Sequence, residues 1–155
     1  MQYTYHSDTK TFTLVDLGDG TGTFIKVTSP LPLKEGYIIS FGETHMVISY
    51  NGNTLCIRFL DGPKIDHEFF FQTHQAPIKI GRGTDCEVRI DDNNLSRYQC
   101  NIEYNSRWLL NDGFTKTSTN GTWLFAEEPF VLTNGTIFKA GHTLFECKII
   151  QLNNA

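Results

Sequence analysis

The chain has 155 residues, 39% of them hydrophobic and 19% charged, a balance that describes a globular protein and excludes a disordered segment. Thirteen basic against 17 acidic residues leave a formal charge of −4, which argues against nucleic acid as the main partner. No run approaches the roughly 18 apolar residues of a membrane-spanning helix, and the N-terminal MQYTYHSDTK lacks the apolar core of a signal peptide, so the expected location is the cytoplasm or nucleus, away from membranes.

Along the chain, apolar residues alternate with polar ones over short stretches. FTLVDL and FIKV read as strands near the N-terminus, followed by VRID; in CNIEY, Cys100, Ile102 and Tyr104 share one face while Asn101 and Glu103 share the other; TLFECKII near the C-terminus behaves the same way. Turn clusters punctuate these runs: DGP at 61–63, GRGTD at 81–85, DDNN at 91–94, NSR at 105–107, and TNGT at both 119–122 and 133–136. Helical periodicity is almost absent. Short strands with frequent turns predict an all-β antiparallel sandwich or barrel. Cys56, Cys86, Cys100 and Cys147 form no C-x-x-C pair, and the five histidines have no metal-ligand spacing, so no metal or cofactor is expected. Cys100 and Cys147 sit among apolar residues and read as small core side chains. The Asn120 and Asn134 sequons matter only in a secreted chain.

An internal repeat relates residue n to residue n+99. Gly22, Thr23, Pro30, Leu33, Gly36, Ile38, Gly42 and Thr44 fall on Gly121, Thr122, Pro129, Leu132, Gly135, Ile137, Gly141 and Thr143 without a gap. Glycines recur where a turn needs a positive φ or a close backbone approach, so equal spacing predicts the same chain path twice. Two unrelated hairpin runs sharing turn chemistry explain eight ungapped identities less well. The chain therefore reads as a partial, degenerate β module over 1–52 and a complete module over 54–155.

The loops of the second module hold the candidate site. Arg82 leaves the apolar run IKI; Ser96 and Arg97 precede YQCNIEY; Thr119 and Asn120 precede TWLF. Alternate turns of a sandwich emerge at one end, where an arginine fork and two hydroxyls suit a tetrahedral oxyanion such as phosphate. Asn120, with a donor and an acceptor, suits an extended peptide backbone, although Asn-Gly is also the standard tight hairpin turn. Arg97 suits either a ligand contact or an ion pair with Asp91 or Asp92. Trp108 and Trp123, at strand positions, read as core or sheet-face residues.

The order G-R, S-R-x-polar, S-T-N-G-T resembles the forkhead-associated (FHA) domain over roughly residues 54–152. The resemblance implies an eleven-stranded β-sandwich that binds a phosphothreonine peptide. It implies that Arg82 and Ser96 hold the phosphate with support from Thr119, that Arg97 and Asn120 hold the peptide main chain or flank the phosphate, and that Asn94 stands where such domains select the third residue after the phosphothreonine. The family usually has His where this chain has Gln99; that His is a scaffold residue, and Gln also donates and accepts. The first module resembles the second half of the same domain, with Thr21 in the place of Asn120 and no strands to carry the arginine and serine. It is expected to pack on the full module, to pair with chain lying upstream, or to form a homodimer through open sheet edges.

No catalytic constellation stands out. GDGTG at 18–22 is followed by a strand-like run rather than the helix of a nucleotide loop, G-x-S-x-G is missing, and the adjacent Asp91 and Asp92 diverge. The expected function is phosphothreonine-peptide recognition in phosphorylation-dependent signalling, not enzymatic. The alternatives are a structural or oligomerising sandwich with an idle phosphate site and a secreted carbohydrate-binding sandwich, which would need disulfides.

Overall fold

The computed structural model describes residues 1–18, 20 and 22–150. In chain order its strands are β1 (Gln2–His6), β2 (Thr11–Val15), β3 (Thr23–Lys26), β4 (Leu31–Pro32), β5 (Ile38–Phe41), β6 (Thr44–Asn51), β7 (Thr54–Asp61), β8 (Glu68–Gln72), β9 (Ile78–Gly81), β10 (Val88–Arg89), β11 (Cys100–Tyr104), β12 (Trp108–Asp112), β13 (Trp123–Phe125), β14 (Phe130–Leu132), β15 (Ile137–Ala140) and β16 (Thr143–Glu146). A single 3-10 turn at Thr73–Gln75 is the one helical element among the described residues. The chain is all-β, as its alternation predicts. Two compact units share it: Met1–Lys26 with Phe125–Ala155, and Val27–Leu124.

The unit Val27–Leu124 is a β-sandwich. One sheet runs β10-β9-β11-β12-β4, antiparallel except for the parallel β10–β9 pair, and the other runs β13-β5-β6-β7-β8, antiparallel throughout. Alternation puts one face of each strand inside: Met46 and Ile48 of β6, Leu55, Ile57 and Phe59 of β7, Ile78 and Ile80 of β9, and Cys100 and Ile102 of β11 are fully buried. Trp108 and Trp123 are buried too, as strand-borne core residues. The register of β6 on β7 is set locally. Asn51 pairs with Thr54 across the two-residue turn Gly52–Asn53, where Gly52 has φ +60°, so this edge of β6 is committed to β7. The module boundary read at 52–54 falls in this turn.

In the other unit, β1, β2 and β14 form one small sheet and β16, β15 and β3 form another. Leu14, Ile25, Ala126, Leu132 and Phe138 make its core, with Phe12, Phe130 and Cys147 packed against it. Strand β1 is exposed along its whole length, and so is β16.

The repeat holds in three dimensions. Gly36 and Gly135 have φ +84° and +91°, and Gly42 and Gly141 have +56° and +60°. Gly36 N–H donates to the Ile48 carbonyl at 2.8 Å, and Gly135 N–H to the Cys147 carbonyl at 2.8 Å. What the repeat conceals is an exchange. Val27 N–H donates to Thr122 O at 2.9 Å in one unit, and Ala126 N–H to Thr23 O at 2.8 Å in the other. Likewise Trp123 pairs with Ser40, and Phe24 with Lys139. Each of these couples maps onto its counterpart by 99 residues with the two copies crossed. Residues 27–51 therefore complete the sandwich that carries β7–β13, while 126–149 build on β1–β3.

Candidate functional site

All six candidate residues lie in the Val27–Leu124 sandwich, on the loops that follow β9, precede β11 and precede β13. The G-R dipeptide works as a pair. A Cβ at Gly81 would overlap the Arg97 carbonyl and the Gln99 nitrogen, so only glycine lets the 94–99 loop lie against the end of β9. That approach is what anchors Arg82. Its N–H donates to Ser96 O at 3.3 Å, and its Nε–H donates to Leu95 O at 2.7 Å. Leu95 is buried and Arg82 exposed, so the guanidinium is fixed at one edge. Of its five N–H donors, four remain for a ligand.

Ser96 and Thr119 meet. Ser96 Oγ accepts the Thr119 N–H at 2.9 Å and donates to Thr119 Oγ1 at 3.4 Å. Asn120 lies beside them and donates from Nδ2 to the Asn94 carbonyl at 3.3 Å, while its own carbonyl accepts the Trp123 indole N–H at 3.2 Å. Asn94 is exposed, its N–H bound to the Asp92 carboxylate at 2.9 Å. The structure thus joins Arg82, Ser96 and Thr119 in one cluster, and links Asn120 to Asn94. Thr21, read as the counterpart of Asn120, lies outside the described residues.

Two networks hold these loops, and sequence reasoning found only part of them. Gln99 is 1% exposed and takes the scaffold role that its place in the motif suggested. Its Oε1 accepts Ser96 N–H at 3.1 Å, and its Nε2 donates to Gly121 O at 2.9 Å. Below it, Asp112 receives Ser118 Oγ at 2.6 Å and Thr122 Oγ1 at 2.7 Å, and Ser118 Oγ accepts Gly121 N–H at 3.0 Å. Asp112 had no sequence signal beyond a D-G turn.

Arg97 is exposed, and its ion pair is with neither Asp91 nor Asp92. It reaches Asp85 at 3.9 Å, which also faces Lys79 at 3.7 Å. The reason is geometric: the 94–99 loop runs alongside the 81–86 loop, bringing Gly83 N–H to the Arg97 carbonyl at 3.0 Å. Around this pair is a cluster the motifs did not announce. Tyr98 donates to the Asp85 carboxylate and meets Phe114 edge-on at 5.5 Å, with Lys79 over both rings. The Tyr98 hydrogen bond holds the Asp85 carboxyl below its usual range, and the same bond raises the Tyr98 phenol.

The four cysteines are free thiols. Burial raises both Cys100 and Cys86 above the ordinary thiol range. Among the described residues, no group of His, Cys, Asp or Glu is arranged to hold a metal ion, and no helix is long and apolar enough to cross a membrane.

Residues 78–152 match the family model of the FHA domain. FHA domains are interaction modules that bind phosphopeptides. The match starts at β9 and takes in every candidate site residue. Its last part, from residue 125 on, falls in the smaller unit, while residues 27–51 occupy the corresponding places in the sandwich. Comparisons with curated proteins and with solved structures gave no match.

Proposed function

We propose that this chain recognises a phosphothreonine-containing segment of a partner protein, with Arg82, Ser96 and Thr119 on the phosphate and Arg97, Asn120 and Asn94 along the peptide. The observation that carries this reading is the contact of Ser96 with Thr119 directly beside the Leu95 carbonyl that fixes Arg82. A phosphate brings a charge of about −1.5 to −2 at neutral pH and three acceptor oxygens. The arginine supplies charge-assisted bonds, and the two hydroxyls supply neutral ones. Such a module binds rather than catalyses, and works where kinases act, in the cytoplasm or nucleus.

The test is fluorescence polarisation against a degenerate phosphothreonine peptide library, with unphosphorylated and phosphoserine peptides as controls. Arg82→Ala is expected to cost about 2–5 kcal/mol of binding, roughly 30-fold or more in Kd. Wild-type affinity in that variant rules the assignment out.

A further inference from the structure

Three of the chain's five arginines fall within residues 82–97, in a protein whose formal charge is −4. Arg82 stands at the proposed phosphate site and Arg97 pairs with Asp85. The third, Arg89, has neither role. It lies on β10 between Val88 and Ile90, both fully buried, so strand alternation turns its side chain outward. Val88 pairs with Ile80, and Ile90 N–H donates to Gly81 O at 2.8 Å, which fixes β10 against the end of β9. From this rigid position Arg89 is exposed, and its Nε–H donates to the Arg82 carbonyl at 3.4 Å.

That bond ties a second guanidinium to the residue that carries the first. Each has used only its Nε–H, so each keeps four donors. Neither Arg82 nor Arg89 forms an ion pair among the described residues. The nearby carboxylates bond elsewhere. Asp85 faces Lys79, Arg97 and Tyr98; Glu87 accepts the Lys79 N–H at 2.6 Å; Asp92 accepts the Asn94 N–H at 2.9 Å. Asp91 follows Arg89 by two residues without pairing with it.

The two flanks of Arg82 differ. In its sheet β9 lies between β10 and β11. The Arg82 N–H meets Ser96, on the chain leading into β11, while the Arg82 carbonyl meets Arg89, on β10. Ser96 and Thr119 therefore stand on one side of Arg82, and Arg89 stands on the other. A phosphate held by Arg82, Ser96 and Thr119 leaves the Arg89 donors unspent beside it.

We propose that Arg89 is a second anion subsite, taking a carboxylate or a further phosphate carried by the same peptide, on the flank of the phosphothreonine away from Ser96 and Asn94. This deepens the phosphopeptide reading and rests on it. Arg89 then selects among phosphothreonine segments, favouring acidic or multiply phosphorylated ones. Both groups offer acceptor oxygens to a guanidinium fork, and phosphate brings the larger charge.

The probe is a set of phosphothreonine peptides in a neutral background, read by fluorescence polarisation. One has no further charge, a series carries a single aspartate moved one position at a time along each side, and the best of these is remade with phosphoserine in place of the aspartate. The best-placed aspartate is expected to tighten binding about threefold to fivefold, the upper range of an exposed ion pair, and phosphoserine by more. The gain should shrink as salt is raised. Arg89→Ala is expected to bring the ratio of acidic to neutral peptide close to one, and Arg89→Glu to invert it in favour of lysine at the same position. A wild-type chain that ranks the acidic and neutral peptides alike overturns the proposal. A ratio that persists in Arg89→Ala overturns it by assigning the selection to another residue, and a loss shared equally by every peptide overturns it by assigning Arg89 to the phosphothreonine itself. In these cases the neutral phosphothreonine peptide still binds through Arg82 and the phosphopeptide reading stands; failure of that peptide to bind the folded chain removes both readings.

Discussion

Removing the Gln99 side chain tests whether the loops of the proposed phosphate site are held from beneath. Gln99→Ala takes away three bonds, from Ser96 N–H at 3.1 Å, to Gly121 O at 2.9 Å and a longer one to Thr122 Oγ1 at 3.5 Å. Gly121 is buried, so its carbonyl loses its partner without a replacement, at about 1–3 kcal/mol. Ser96 is only half-buried, so water can recover part of its loss, leaving about 0.5–1 kcal/mol. The deleted methylenes, in a site 1% exposed, add about 1 kcal/mol. The sum is about 2.5–5 kcal/mol, read as a lower urea midpoint with an unchanged slope. Phosphopeptide affinity should fall as well, because Ser96 and the 118–122 turn lose their common tie. Gln99→His separates the roles. A neutral imidazole keeps one donor and one acceptor, so stability near pH 7.5 should stay within about 1 kcal/mol of the parent. Protonation removes the acceptor that Ser96 N–H needs, and burial opposes the charge, so the folded-state pKa of the new His lies below its unfolded value. Its contribution is then present above the unfolded pKa of about 6.5 and shrinks as pH falls below it. A Gln99→Ala chain with parental stability and affinity would refute the reasoning.

Other changes follow from the same geometry. Gly81→Ala sets a methyl group against the Arg97 carbonyl and should destabilise by about 2 kcal/mol or more, whereas Gly36→Ala meets nothing and pays only for its φ of +84°, about 1–2 kcal/mol; thermal melts of the two variants compare a clash with pure backbone strain. The Asp85 carboxyl is depressed mainly by Tyr98, so its stabilising contribution is present at neutral pH and is lost as acid protonates it below its ordinary value of 3.8, while Asp85→Asn should bring the raised Tyr98 phenol back toward 10.0 in a spectrophotometric titration. Asp85 is exposed and Tyr98 only half-buried, so the expected signal is a titration shift rather than a change in melting temperature. Cys100, fully buried with a raised thiol, should be the last of the four cysteines to react with a thiol reagent under native conditions, and equal labelling rates would contradict its burial.

The loop residues were legible because their chemistry is local. Gly81-Arg82, Ser96-Arg97 and Thr119-Asn120-Gly121 are turn sequences, and turn chemistry depends on a few neighbouring dihedrals that the residue types themselves dictate. The aromatic and charged cluster of Lys79, Asp85, Tyr98 and Phe114 was not legible, because its members come from four separate segments and none is unusual where it stands. The repeat lies between these cases. The spacing of Gly36 and Gly42 against Gly135 and Gly141 foretold a recurring path, and the φ values agree.

Which copy completes which unit was harder to see, because both copies fit either place by construction. Equivalent sequences have equivalent docking surfaces, so pattern alone leaves the choice degenerate. The degeneracy is broken by chain connection. Two residues, Gly52 and Asn53, separate β6 from β7, which is the length of a tight hairpin loop and too short for anything else. Once β6 is committed to β7, β5 follows through its own hairpin at Gly42, and the edge of β7 is no longer open to β16. The C-terminal copy then has β1–β3 as its remaining partner and forms a half sandwich there. The signal was present in the sequence as the short spacer YNGNT, but its weight comes from polymer geometry rather than from side-chain chemistry: a loop this short fixes topology more firmly than the eight identities that relate the two copies.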